Sequence, residues 1–126
     1  MSNTPDEAAT REALGPGLLK AADRSEIVVV DADLGKSTTA RLIADQYPER
    51  FITFGIAEQN MASAAAGIAT TGFTVVASTF AVFAEHAFDQ WRMSVAQPNL
   101  DVKLFASHGG CLLYTSPSPR DGLLSR

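Results

Sequence analysis

Glu58 is the first candidate for chemistry in this sequence, standing within Phe54-Gly-Ile-Ala-Glu-Gln-Asn-Met61 at the head of an alanine-rich stretch. A carboxylate there is stabilised by the positive end of a helix dipole, so its position alone does not make it functional. Lys36, in Gly35-Lys36-Ser37, ends like a phosphate-binding loop, but that motif needs a glycine five residues before its Gly-Lys pair so that backbone amides can cradle phosphate. Val30 occupies that position, and Asp31 and Asp33 would repel an anion. Two residues apart at a strand end, Asp31 and Asp33 would tend to point the same way, as metal ligands or as an acid and a base. His86 and His108 lie far apart, with no third ligand at a metal spacing, and each has an ordinary structural reading. Trp91, Phe83 and Phe88 sit at helical spacing, where aromatic side chains more often fill a core.

The elements that must position these residues read clearly from the pattern of apolar residues. A first helix is expected over 7–24, kinked or broken at Gly15-Pro16-Gly17 because Pro16 lacks an amide donor. Ile27-Val-Val-Val30 is a continuous β-branched run, the pattern of a strand buried on both faces. Residues 31–36 form a loop, and Ser37 or Thr38 could cap a helix over 38–47. Further strands are expected over 51–54, 73–77 and 102–106, and helices over 58–71 and 80–96. Alternating strands and helices at this spacing predict an α/β fold with a parallel sheet and right-handed crossovers. Ligands of such sheets sit beyond the carboxyl ends of the strands, which puts 31–37, 55–58, 78–80 and 107–110 on one rim.

The bulk properties exclude several classes. Apolar residues make up 46% of the 126, and charged residues 19%, as in a packed globular chain. A net charge of −4 argues against a nucleic-acid or anionic-membrane partner. No apolar run approaches a membrane span and the polar start has no secretory pattern, so a cytoplasmic protein is expected. Cys111, the sole cysteine, permits neither a disulfide framework nor a thiolate metal site. It also opens a segment, 111–126, that reads as a translated sequencing adapter, so the native domain is expected to occupy 1–110 and to be truncated.

Pro48-Glu-Arg50, Phe54-Gly-Ile-Ala-Glu-Gln-Asn60, Ser78-Thr-Phe80 and Ser107-His108 occur in an order and spacing that resembles the pyrimidine-binding domain of transketolases, in particular the C-terminal subunit of transketolases split over two chains. The resemblance covers residues 8–110 and implies a parallel-sheet, thiamine-diphosphate-binding fold. It implies transfer of a two-carbon ketol group between sugar phosphates, by a heteromer in which this chain is one subunit. Glu58 would hydrogen-bond a ring nitrogen of the cofactor's aminopyrimidine and favour the imino form that removes the thiazolium C2 proton. Phe80 and Phe83 would pack on that ring with His86 nearby, where many transketolases have tyrosine. Leu34 would prop the bent cofactor, Asp33 would lie near the thiazolium, and Arg11, Ser37 and His108 would clamp the sugar phosphate. The family's Gly-Asp-Gly…Asn motif for Mg2+ and diphosphate is not found here. It would belong to an N-terminal diphosphate-binding subunit, the expected partner in a homo- or heterodimeric assembly that this chain needs for activity. Also compatible are a 2-oxo acid dehydrogenase β subunit, a 1-deoxyxylulose-5-phosphate synthase-like enzyme and a non-catalytic interaction subunit. Asn60-Met61 and His108 lean toward the transketolase branch.

Overall fold

The computed structural model describes residues 10–23 and 26–109, so the expectations for 1–9 and 110–126 lie outside the described residues. Its centre is a four-stranded sheet of β1 (Ile27–Asp31), β2 (Phe51–Thr53), β3 (Thr74–Phe80) and β4 (Val102–Ser107), all parallel, in the order β2-β1-β3-β4. The fold is therefore the α/β, parallel-sheet class that the strand–helix alternation predicts.

Why β1 is apolar throughout follows from its two faces. Val28 and Val30 pack with Val75 and Ala77 against Met61, Ala65 and Ala69 of helix α3 (Glu58–Ala69). Ile27 and Val29 point the other way, with Val76, onto Leu18 and Ala22 of α1 (Leu14–Ala22) and Ile43 of α2 (Leu42–Gln46). A side chain of this size contributes about 1.5–3 kcal/mol when fully buried, so β1 anchors both layers. The small residues of α3 serve the same packing, since Met61, Ala62 and Ala65 have no solvent exposure.

Strand order also fixes where a ligand can enter. From β1 the chain moves outward to β2, then returns across β1 to build β3 and β4 on the opposite side. Connections thus leave the carboxyl ends of β1 and β3 in opposite directions, opening a crevice between them.

Three local expectations are corrected. The first helix is not broken at Pro16: a 3₁₀ turn (Thr10–Ala13) gives way to α1 two residues earlier, and the α-helix runs through Gly15-Pro16-Gly17. Pro16 falls in the first turn of α1, where a backbone amide has no intrahelical acceptor to lose. Neither Ser37 nor Thr38 caps a helix, because residues 35–41 are turns and α2 begins only at Leu42. Thr39 takes φ +64°, which no helix accommodates, and Thr38 donates its hydroxyl to Leu34 O at 3.2 Å.

The long helix expected over 80–96 is instead four segments: α4 (Ala81–Ala84), a 3₁₀ turn (Glu85–Ala87), α5 (Phe88–Gln90) and a π-helical turn (Trp91–Ala96). Competing donors explain the interruption. Ala84 O accepts the Trp91 indole N–H at 3.1 Å, and His86 O accepts the Gln59 side-chain amide at 2.9 Å. The Phe88 N–H bonds to Glu85 O in the tighter 3₁₀ pattern. With the 3.6-residue period lost, Phe88 swings out to 63% exposure rather than joining the core, while Trp91 packs against it.

Candidate functional site

Two cavities on the carboxyl rim gather the candidate site residues. The first, of about 220 Å³, is lined by Ala32, Asp33, Leu34, Ile56, Glu58, Phe83 and His86. Loop 32–34 at the end of β1 supplies one wall, the head of α3 a second, and α4 with its 3₁₀ turn a third. Glu58 is 7% exposed at this largely apolar wall, and its carboxyl makes no hydrogen bond with the described residues. An isolated buried carboxyl of this kind has unused bonding capacity facing the cavity. Gln59, next in sequence, points elsewhere and binds the His86 carbonyl, tying α3 to the opposite wall.

The second cavity, of about 390 Å³, is lined by Arg11, Glu12, Lys36, Ser37, Thr39, Phe80 and His108. It draws on the turn before α1, the loop before α2 and the ends of β3 and β4. Thr39 holds its floor by accepting the Gly15 N–H at 2.9 Å and donating to Arg11 O at 3.1 Å. His108 has φ +57°, and its Nδ1 lies 2.9 Å from the Ser107 hydroxyl. A guanidinium, an ammonium, a hydroxyl and an imidazole around one opening have the donor set of an anion cradle, with Glu12 as the opposing charge.

Phe80 connects the two spaces. It lines the second cavity, stacks on Phe83 with ring centroids 5.7 Å apart at 9°, and meets His108 at 4.1 Å. Phe83 and His86 are neighbours at 6.2 Å in the first cavity. The structure thus brings Asp33, Leu34, Glu58, Phe83 and His86 together in one cavity, and Arg11, Ser37, Phe80 and His108 in the other.

Asp31 and Asp33 do not point the same way as a strand-end pair would. Asp33 leaves the strand at φ +61° and is exposed, whereas Asp31 is 3% exposed and folds back on its own loop. The Leu34 N–H donates to its Oδ2 at 3.1 Å and to Oδ1 at 3.3 Å. Burial pushes the Asp31 carboxyl above the usual aspartate range, against the opposing pull of amides from Gly35, Leu34 and Asp33. The sequence reading missed Ile56, Lys36 and Thr39 as lining residues. Ile56 lay inside the Glu58 motif and could have been found, but nothing local marks Thr39, whose role depends on contact with a segment 28 residues away. Among the described residues no group of three or more His, Cys, Asp or Glu could hold a metal, and no helix is long and apolar enough to cross a membrane.

Fold and rim together are those of an open parallel α/β domain with a crevice at the carboxyl ends of its strands. Residues 6–115 match the family described as transketolase, pyrimidine-binding domain, and the chain belongs to that family. A protein of Methanocaldococcus jannaschii named for the C-terminal section of a transketolase is 46% identical over 102 residues, covering 79% of this chain and 32% of that protein. Human transketolase is 43% identical over 107 residues, covering 83% of this chain and 17% of the human protein. Among solved structures, a split-gene transketolase in an inactive β4 tetramer aligns with a TM-score of 0.69 at 50% identity, covering 78% of this chain and 33% of that one. The chain therefore spans about a third of its microbial relative and about a sixth of the human enzyme.

Proposed function

We propose that this chain is the pyrimidine-binding section of a thiamine-diphosphate-dependent transketolase, transferring a two-carbon ketol group between sugar phosphates. The observation that carries the reading is Glu58: a buried carboxyl at the wall of an apolar cavity, without a hydrogen bond from the described residues. That cavity suits a flat aminopyrimidine, with Leu34 and Phe83 against its faces and Glu58 at a ring nitrogen. When bound, thiamine diphosphate supplies the carbon nucleophile of the reaction. Glu58 would hold a proton shared with the ring nitrogen, and a charge-assisted bond in a dry site is stronger than a neutral one. Leu34 would fix the cofactor's bend from below, and Asp33 would lie beside its second ring.

Arg11, Ser37 and His108 would hold the phosphate of the sugar, with Phe80 between the two ligands. Diphosphate and Mg2+ would be held by an N-terminal partner subunit in a dimeric or larger assembly, and this chain would be inactive without it. A cytoplasmic location suits such chemistry. The split-gene transketolase and the microbial C-terminal section among its relatives support that division of labour.

The test is C2 proton exchange of thiamine diphosphate bound to the complex of this chain with its partner subunit. Glu58→Ala should slow exchange by several kcal/mol of barrier, on the order of 10²–10³-fold or more, because a preorganised group is removed. Exchange at the wild-type rate in the variant would sink the proposal.

A further inference from the structure

The loop between β1 and α2 walls both cavities, and one buried side chain holds it. Leu34 faces the first cavity and Lys36 and Ser37 the second, so two ligands would meet a single stretch of backbone. Its conformation is not a regular one: Asp33 has φ +61° and Thr39 +64°, and residues 35–41 are turns. Something other than secondary structure must fix it.

Leu34 is held from both sides. Its N–H donates to both oxygens of the Asp31 carboxylate, at 3.1 and 3.3 Å, and the neighbouring Asp33 and Gly35 amides favour the charged form of that carboxyl. Its carbonyl accepts the Thr38 N–H at 3.0 Å and the Thr38 hydroxyl at 3.2 Å, while Ser78 of β3 donates to the same hydroxyl at 2.8 Å. Space is equally constrained. A Cβ on Gly35 would stand 3.3 Å from Asp31 Oδ2 and 3.1 Å from the Phe51 ring, so the loop passes as close to the carboxylate as a bare backbone allows.

A buried carboxylate is an expensive way to hold a loop, since it must be desolvated. What it offers over a neutral side chain is two oxygens that only accept. Three amide donors can converge on them, as they would on a bound anion. An asparagine there would turn an NH2 donor toward donors.

We propose that Asp31 is a positioning residue that gathers the amides of residues 33–35 and thereby sets Leu34 in the first cavity and Lys36–Ser37 in the second, so that one side chain governs binding of cofactor and sugar phosphate together. The proposal rests on the function proposed above and names a residue that touches neither ligand. The groups around Asp31 are consistent with this: Asp33, Lys36 and Arg41 share a third cavity of about 250 Å³ with it, and β2 adds only the uncharged Phe51 and Thr53.

The experiment uses the full chain in complex with its partner subunit. Thiamine diphosphate with Mg2+ and inorganic phosphate are the probes, and amide hydrogen exchange is followed over 31–38. Asp31→Asn is expected to weaken both probes about tenfold, as small misplacements do, to speed exchange at 33–35 alone, and to leave the melting temperature unchanged or higher. Asp31→Ser, which brings no NH2 group toward the loop amides but reaches them less well, should show the same effects in smaller degree and carries the test if the asparagine variant does not fold. Leu34→Ala should weaken only the cofactor and Ser37→Ala only phosphate. Unchanged exchange at 33–35 in Asp31→Asn, or loss of one probe without the other, overturns the proposal. A wild-type complex that binds neither probe overturns the proposed function and with it the ligand half of this inference, while the exchange data still decide whether Asp31 clamps the loop.

Discussion

The two cavities are neighbours built on different terms. The first takes its key group, Glu58, from the opening turn of a regular helix, and its apolar wall from residues within a few positions of ordered elements. The second is assembled from four separate segments against three in the first, and two of its residues, Thr39 and His108, stand at positive φ against one, Asp33. The key group of the first cavity is thus set by one element, whereas every group of the second depends on how elements meet. Chemistry that demands one exact atom suits the first arrangement, while gripping a charged group from several sides suits the second.

Mutation can break or sharpen that contrast. The largest effect is expected from Glu58→Ala, which should all but abolish C2 proton exchange yet leave inorganic phosphate binding to the complex intact; a parallel loss of phosphate affinity would show the cavities to be one site. His108→Ala should raise KM for the phosphorylated acceptor about tenfold with little change in cofactor affinity, since it removes one of several anion contacts. Steady-state kinetics with phosphorylated and unphosphorylated acceptors would read this, and equal effects on both would remove the anion assignment.

Ser78→Ala should cost about 1 kcal/mol of stability in denaturant unfolding, since it deletes a buried hydrogen bond to Thr38 on which both cavities lean. The smallest effect lies away from both. Hydrogen bonds from Lys103 and then Thr74 hold the Asp101 carboxyl below its usual range. Its contribution is therefore present above the pKa of an unfolded aspartate and is lost as pH falls through the lowered value. Asp101→Asn should remove that small acid-limb dependence from the melting curve and leave ligand binding untouched.

The same contrast explains what could be read in the chain beforehand. The strands of the described residues were legible as apolar runs such as 27–30, although β3 continues through Ser78, Thr79 and Phe80 where a loop and a helix start were expected, and Glu58 was legible because its motif is contiguous. The 80–96 region was not, because its apolar spacing carries no trace of the Gln59 and Trp91 side chains that take the Ala84 and His86 carbonyls. Thr38 and Ser37 suggested a cap, yet the turn is decided by Asp31 and Ser78, one of them 40 residues from Thr38. The residues that the resemblance groups are gathered on this rim in two cavities. It did not foretell that Phe80 would line the second cavity and stack on a wall of the first.

Strand order also dictates a sequence of events during synthesis. Val29 pairs with Phe51 early, over only three residues, while Ile27 must wait for Thr74, a separation of roughly fifty residues whose loop closure slows assembly. Until β3 emerges, the most apolar strand of the protein has one edge unpaired. A nascent chain in that interval presents a ready template for joining another copy, so yield in the cell should depend more on how quickly 74–80 arrives than on the stability of the finished fold.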